Sequence, residues 1–179
     1  MRRSVIAGVI LAAAVTAVPG TYAYAQEFHA KFLGFNEVPL AILSNGQATL
    51  ALKLNQKLKT LSYTLTYSNL SAPVVQAHIH FGKVHVAGSV MVFLCGSATN
   101  PGPVGTPICP AGGGTVTGML VASNVLPVPA QGIAAGDFDA VIAALLSRTA
   151  YANIHTTNFP AGEIRGQVRR DNDEDDHDD

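Results

Sequence analysis

His78-Ile79-His80 sets two imidazoles two residues apart in an apolar segment. Along a β-strand, residues i and i+2 share a face, so His78 and His80 point together. Val75, Ala77, Ile79 and Phe81 are then left for the opposite, core-facing side. Two neutral nitrogen donors from one strand make half a site for zinc or copper, and a third donor has to come from elsewhere in the chain. Parity nominates it. In residues 150–155 the apolar face is Ala150, Ala152 and Ile154, which puts Tyr151, Asn153 and His155 on the other. In residues 163–168, Ile164 and Val168 are the apolar side, leaving Glu163, Arg165 and Gln167 polar. If these strands neighbour the first, one outer face gathers His78, His80, His155, Glu163 and Arg165, with the three histidines as metal ligands.

Two plainer readings use the same residues. Histidines on an exposed strand face hydrogen-bond without binding anything, and Glu163 with Arg165 can be an ion pair that keeps the last strand in register. His85, between Gly82 and Gly88, reads as a loop residue, with a fourth ligand as the alternative; His29, alternating with Phe28, reads as structural. A histidine site should lose its metal below a pH of roughly 6, because a protonated imidazole has no lone pair to donate. Enzyme templates are missing: there is no glycine-rich phosphate loop, no nucleophile elbow and no His-Glu-x-x-His helix. Asp137 and Asp139 fall at a helix start, where the dipole alone accounts for them.

The elements that must position these residues are mostly strands. Residues 48–54 and 61–67 alternate strictly, Leu50, Leu52 and Leu54 in the first and Leu61, Tyr63, Leu65 and Tyr67 in the second, joined by a short polar link at 55–59. Further strands are expected over 27–33, 74–81, 90–94, 115–121, 150–155 and 163–168, separated by turn sequences such as Asn100-Pro101-Gly102-Pro103. Eight short strands with turns between them predict an all-β sandwich or small barrel. One segment departs from period two. Residues 137–148 place Phe138, Val141, Ile142, Leu145 and Leu146 at helical spacing, with Asp137 as N-cap and Arg148 at the negative end of the dipole.

The 179-residue chain opens on Arg2 and Arg3, an apolar run of about 14 residues and Ala23-Tyr24-Ala25. This is the pattern of a cleaved signal peptide over 1–25, and the run falls short of the roughly 20 residues of a spanning helix. The residues that should follow a twin-arginine pair are not present, so general secretion to the periplasm or cell exterior is expected. What remains is one domain over 26–170 and a tail over 171–179 that holds seven of the chain's twelve acidic residues. Such a run has nothing to bury and is expected to be solvated, with cation collection assisted by His177 as an alternative. No basic stripe interleaved with aromatics suggests nucleic acid, so the expected partner is a metal ion or an extracellular protein. Cys95 and Cys109 flank a Pro- and Gly-rich stretch. In an exported chain they read as a disulfide, since their spacing is far from that of thiolate metal clusters.

Several short motifs, in order, resemble the CHRD (chordin-type) domain family. They are Gly34-Phe35-Asn36-Glu37-Val38-Pro39, Gly46 before a strand, Ala77-His78-Ile79-His80-Phe81-Gly82, Tyr151-Ala152-Asn153-Ile154-His155-Thr156 and Pro160-Ala161-Gly162-Glu163-Ile164-Arg165-Gly166-Gln167. The resemblance implies an immunoglobulin-like, Greek-key β-sandwich or barrel in an exported protein, with no general enzymatic activity. Chordin itself is an extracellular antagonist of bone morphogenetic proteins. The family is also distantly similar to copper/zinc superoxide dismutase, where a His-x-His pair and a late strand histidine bind copper. By that similarity His78, His80 and His155 are copper ligands, while the chain offers no match for the dismutase's bridging histidine or zinc ligands.

Overall fold

The computed structural model describes residues 25–171, so all but the last residue of the expected signal peptide and all but the first residue of the acidic tail lie outside the described residues. Among the described residues, nine strands form two antiparallel sheets. β1 (Gln26–Phe32), β2 (Gln47–Asn55), β3 (Thr60–Ser68), β6 (Gly114–Leu120) and β9 (Arg169–Arg170) make the first, in the order β6-β3-β2-β1-β9. The second is β5-β4-β7-β8, from β4 (Val74–Phe81), β5 (Ser89–Gly96), β7 (Ala150–Thr156) and β8 (Ile164–Gln167). All eight strands expected from the sequence are present. The ninth arises because Val168 is buried between the sheets and carries the chain across to pair Arg169 with His29 and Arg170 with Phe28.

Alternation builds the core. β2 and β3 bury every second residue, so Leu50, Leu52 and Leu54 meet Leu61, Tyr63 and Leu65 on the inner face, and Ala77, Ile79, Ala152, Ile154 and Ile164 close it from the second sheet. Each large aliphatic side chain buried this way contributes on the order of 1.5–3 kcal/mol. The Tyr63 hydroxyl crosses the core to donate to the Leu94 carbonyl at 2.6 Å, tying the sheets together. The helix is α1 (Phe138–Leu146), capped by the Asp137 carboxylate accepting from the Ala140 N–H at 3.0 Å. Phe138, Val141 and Leu145 face the core, and Arg148 lies past the helix end in the left-handed region.

The parity expected for β4 fails at its start. Val74 pairs with Thr156 and Gln76 with His155, so Val75 is an extra residue opposite a single step of β7. This bulge flips the alternation: Val74 is buried with Ala77 and Ile79, while Val75 is half-buried and leaves the core face. From Ala77 onward the two-residue period resumes, which returns His78 and His80 to a common side. Among the described residues no helix is long and apolar enough to cross a membrane.

Candidate metal centre

β7 lies beside β4, pairing Asn153 with His78 and Tyr151 with His80, and β8 lies beside β7, pairing Arg165 with Asn153. This adjacency brings His78, His80 and His155 together, each with a ring nitrogen within 4.8 Å of the others. The face is not an outer one, as the sequence reading had it. His78 is only 2 % exposed, and His80, Asn153, His155 and Arg165 are buried as well. Loops cover it. Phe93 on β5 packs edge-on against His78 at 4.3 Å between ring centroids, and Gly102 in the loop closed by the disulfide lies against the Phe93 ring. That disulfide joins Cys95 and Cys109 with the Cα atoms 5.1 Å apart, as expected.

Hydrogen bonding around the rings is uneven. Nδ1–H of His80 donates to the Gly88 carbonyl at 3.0 Å, and Nδ1–H of His155 donates to the Pro160 carbonyl at 2.9 Å. A carbonyl can only accept, so each ring carries its proton at Nδ1, and a neutral ring then has a lone pair at Nε2. The Asn153 amide stands between them, its Oδ1 2.9 Å from His80 Nε2 and 3.0 Å from His155 Nε2. Two lone pairs facing an amide oxygen repel. A second proton on each ring would relieve this, but burial opposes it: it is the largest influence lowering His80 to about 4, and it lowers His155 too. Two remedies are left. The amide turns over to donate its NH2 to both rings, or a cation takes the space on which two nitrogens and the amide oxygen converge.

His78 settles nothing by hydrogen bonding, because neither of its ring nitrogens has a partner. Burial first, then repulsion from His155 and His80, drives its pKa down to about 2, so it is a neutral donor at any ordinary pH. An unpaired buried polar group costs roughly 1–3 kcal/mol. The donor set therefore fits a transition-metal ion. Tetrahedral coordination at about 2.0–2.1 Å places nitrogens roughly 3.3 Å apart, against the 4.8 Å within which these ring nitrogens lie. The backbone carbonyls on two Nδ1 atoms are the outer partners that fix a ligand's tautomer.

Glu163 and Arg165 do not share a role. Glu163 lies just before β8 and turns away from the histidines, accepting from Ser44 Oγ at 2.6 Å, Ser71 N–H at 2.8 Å, Ser71 Oγ at 2.8 Å and Thr156 Oγ1 at 2.6 Å. It therefore forms no ion pair with Arg165, because β8 begins only at Ile164 and Glu163 falls outside the alternation that predicted one. Arg165 stays beside the histidine cluster, its guanidinium 3.4 Å over the Tyr151 ring, which stacks on His80 at 4.6 Å. The carboxylate facing Arg165 electrostatically is Glu37, from the loop after β1. Burial raises Glu37 to about 7 against the pull of Arg165 and the Val38 N–H, and its Oε1 has no hydrogen-bond partner. Gly162, at φ 132°, is where Glu37 lies: a Cβ there would meet both carboxylate oxygens within 2.8 Å.

Sequence reasoning placed Asn153 on the correct face without giving it a function, and it missed Glu37, whose only signal was its place in the Gly34–Pro39 motif. His85 is an exposed loop residue outside the cluster, as favoured, and His29 Nδ1 bonds Asp171 Oδ1 at 2.8 Å. No curated protein and no solved structure matches the chain. The profile of the CHRD domain matches residues 28–168, which is most of the chain and runs from within β1 to the end of β8, and by that match the protein belongs to the CHRD domain family.

Proposed function

We propose that this CHRD-family protein is an exported binding module that holds a transition-metal ion, copper or zinc, through His78, His80 and His155. The observation that carries the reading is His78: a buried imidazole with both nitrogens unpartnered, beside two rings whose Nε2 lone pairs converge. Asn153 Oδ1 is the fourth donor within reach. Export rests on the Arg2-Arg3 start, the apolar run and Ala23-Tyr24-Ala25, together with a disulfide that suits an oxidising compartment. Holding is favoured over turnover because the donors are sealed by Phe93 and the flanking loops, whereas a redox enzyme similar to superoxide dismutase needs an open coordination position.

Metal analysis of the purified protein after loading with zinc or copper, beside His78→Ala and His155→Gln variants, tests the proposal. One equivalent bound, lost in both variants, is expected. No retained metal, or equal retention in the variants, contradicts it. Superoxide-consuming activity in the copper-loaded protein would instead place it among redox enzymes.

A further inference from the structure

A second site lies on the other side of Arg165, in a cavity of about 300 Å³. Its lining holds five basic side chains, His29, Lys31, His85, Arg165 and Arg169, two amides, Asn36 and Gln167, and no carboxylate. The fold puts them there from separate elements. His29 and Lys31 are alternate residues of β1, and Arg169 on β9 pairs with His29. Arg165 comes from β8, whose backbone bridges to Leu33 at the end of β1.

The loop after β4 supplies His85, and Arg165 fixes that loop by donating from Nη2 to the Lys83 and Val86 carbonyls at 3.1 and 3.0 Å. His85 itself is held in the left-handed region at φ 59°, a conformation that costs a non-glycine residue free energy and that recurs at binding sites. Arg165 is 2 % exposed, and its Nη1 has no hydrogen-bond partner. Three permanent cations around one concavity raise the local potential, and a low-dielectric wall concentrates the field. Among the described residues, Asp171 bonds the lining through His29, and Glu37 faces Arg165.

The geometry points to an anion site in this cavity that takes a carboxylate-bearing ligand of about the size of a dicarboxylic acid. It does not depend on a metal at the histidines. Carboxylate is favoured because Asp171 already presents one to His29 at the rim, and because it opens a stretch of sequence that carries six further acidic residues. Two sources share that chemistry: the chain's own C-terminal acids, at an effective concentration in the millimolar range, and a free or polymeric carboxylate from the surroundings.

The test is a titration of the full chain with succinate at low ionic strength, followed by amide chemical shifts. It is repeated on the full-length Asp173→Asn/Glu174→Gln/Asp175→Asn/Asp176→Asn variant and on Lys31→Gln/Arg169→Gln. Saturable shifts at Lys31, His85 and Arg169, with affinity at least tenfold weaker in Lys31→Gln/Arg169→Gln, are expected. At least fivefold tighter binding in the tail-neutralised variant assigns the site to the chain's own acids, and equal binding assigns it to an external carboxylate. No saturable binding to the tail-neutralised variant, or undiminished binding to a folded Lys31→Gln/Arg169→Gln variant, overturns the proposal.

Discussion

Two buried polar clusters hang on the same strand, and they are opposites in hydrogen bonding. Thr156, near the end of β7, belongs to the group around Glu163, where a fully buried carboxylate accepts four hydrogen bonds. Burial alone would raise that carboxyl, but the bonds from Ser44, Thr156 and Ser71 outweigh it and hold it below the ordinary value. His155, one residue earlier, belongs to the group around Asn153, where lone pairs face an amide oxygen and His78 has no partner. A closed account marks scaffold: Glu163 ties the loops at Ser44 and Ser71 to the end of β7. An open account marks a place built for something the chain does not itself supply.

The largest effect expected from breaking this contrast is on the Glu163 side. Glu163→Leu strands a backbone N–H and three hydroxyls, and should cost about 3 kcal/mol or more in urea unfolding while metal stoichiometry stays at one. Acid is the next lever. A histidine whose folded pKa lies below its unfolded value of about 6.5 contributes stability above that value and loses it as pH falls toward the folded pKa. His80, lowered to about 4, should contribute up to about 3 kcal/mol that disappears between roughly pH 6.5 and 4 in the metal-free protein.

Glu37 runs the other way. Raised to about 7, it is protonated in the folded state before the unfolded chain binds that proton near 4.5, so it gains stability as pH falls through this window. Glu37→Gln should therefore steepen the acid loss between about pH 7 and 4.5, as read by thermal melts across pH. The same burial moves the metal-release window. Neutral imidazoles persist well below the pH of roughly 6 expected from free histidine, so bound metal should be retained to about pH 5 and released nearer 4.

Reducing the Cys95–Cys109 bond opens a loop of about 15 residues and should cost on the order of 3 kcal/mol, with weaker metal retention because that loop backs Phe93 over His78. His78→Leu should change the stability of the metal-free protein by less than about 1 kcal/mol, or raise it, since an unpaired buried imidazole is replaced by an apolar group, yet it should abolish metal binding. The smallest effect belongs to an exposed pair. Lys59→Gln breaks the 2.7 Å contact with Asp139 and should leave both melting temperature and metal content unchanged.

The sequence was most legible where period two governs. Leu50 to Leu65 declared the core, and His78, His80 and His155 declared a shared face, because side-chain direction along a strand is local information. Val75 was misassigned because a bulge is a property of two strands in register, and its own sequence gives no sign of it. Glu163 was placed with Arg165 because parity was extended past the point where the strand begins. The burial of the histidine face was invisible for a further reason: Gly88 and Pro160 reach it through loops whose paths no periodicity encodes, and Phe93 reaches it through the pairing of β5 with β4. Asn153 could be set on the face, but its bridging of two rings depends on distances.

The protonation state of the rings tests the account most directly. Long-range nitrogen–proton correlation of the full chain, labelled with nitrogen-15 and recorded near pH 7 before and after one equivalent of zinc, reads each imidazole tautomer. His80 and His155 should both be Nδ1-protonated with Nε2 bare, and zinc should shift Nε2 of both rings together with one nitrogen of His78. Nε2-protonated rings, or spectra that zinc leaves unchanged, would contradict a metal centre at these histidines.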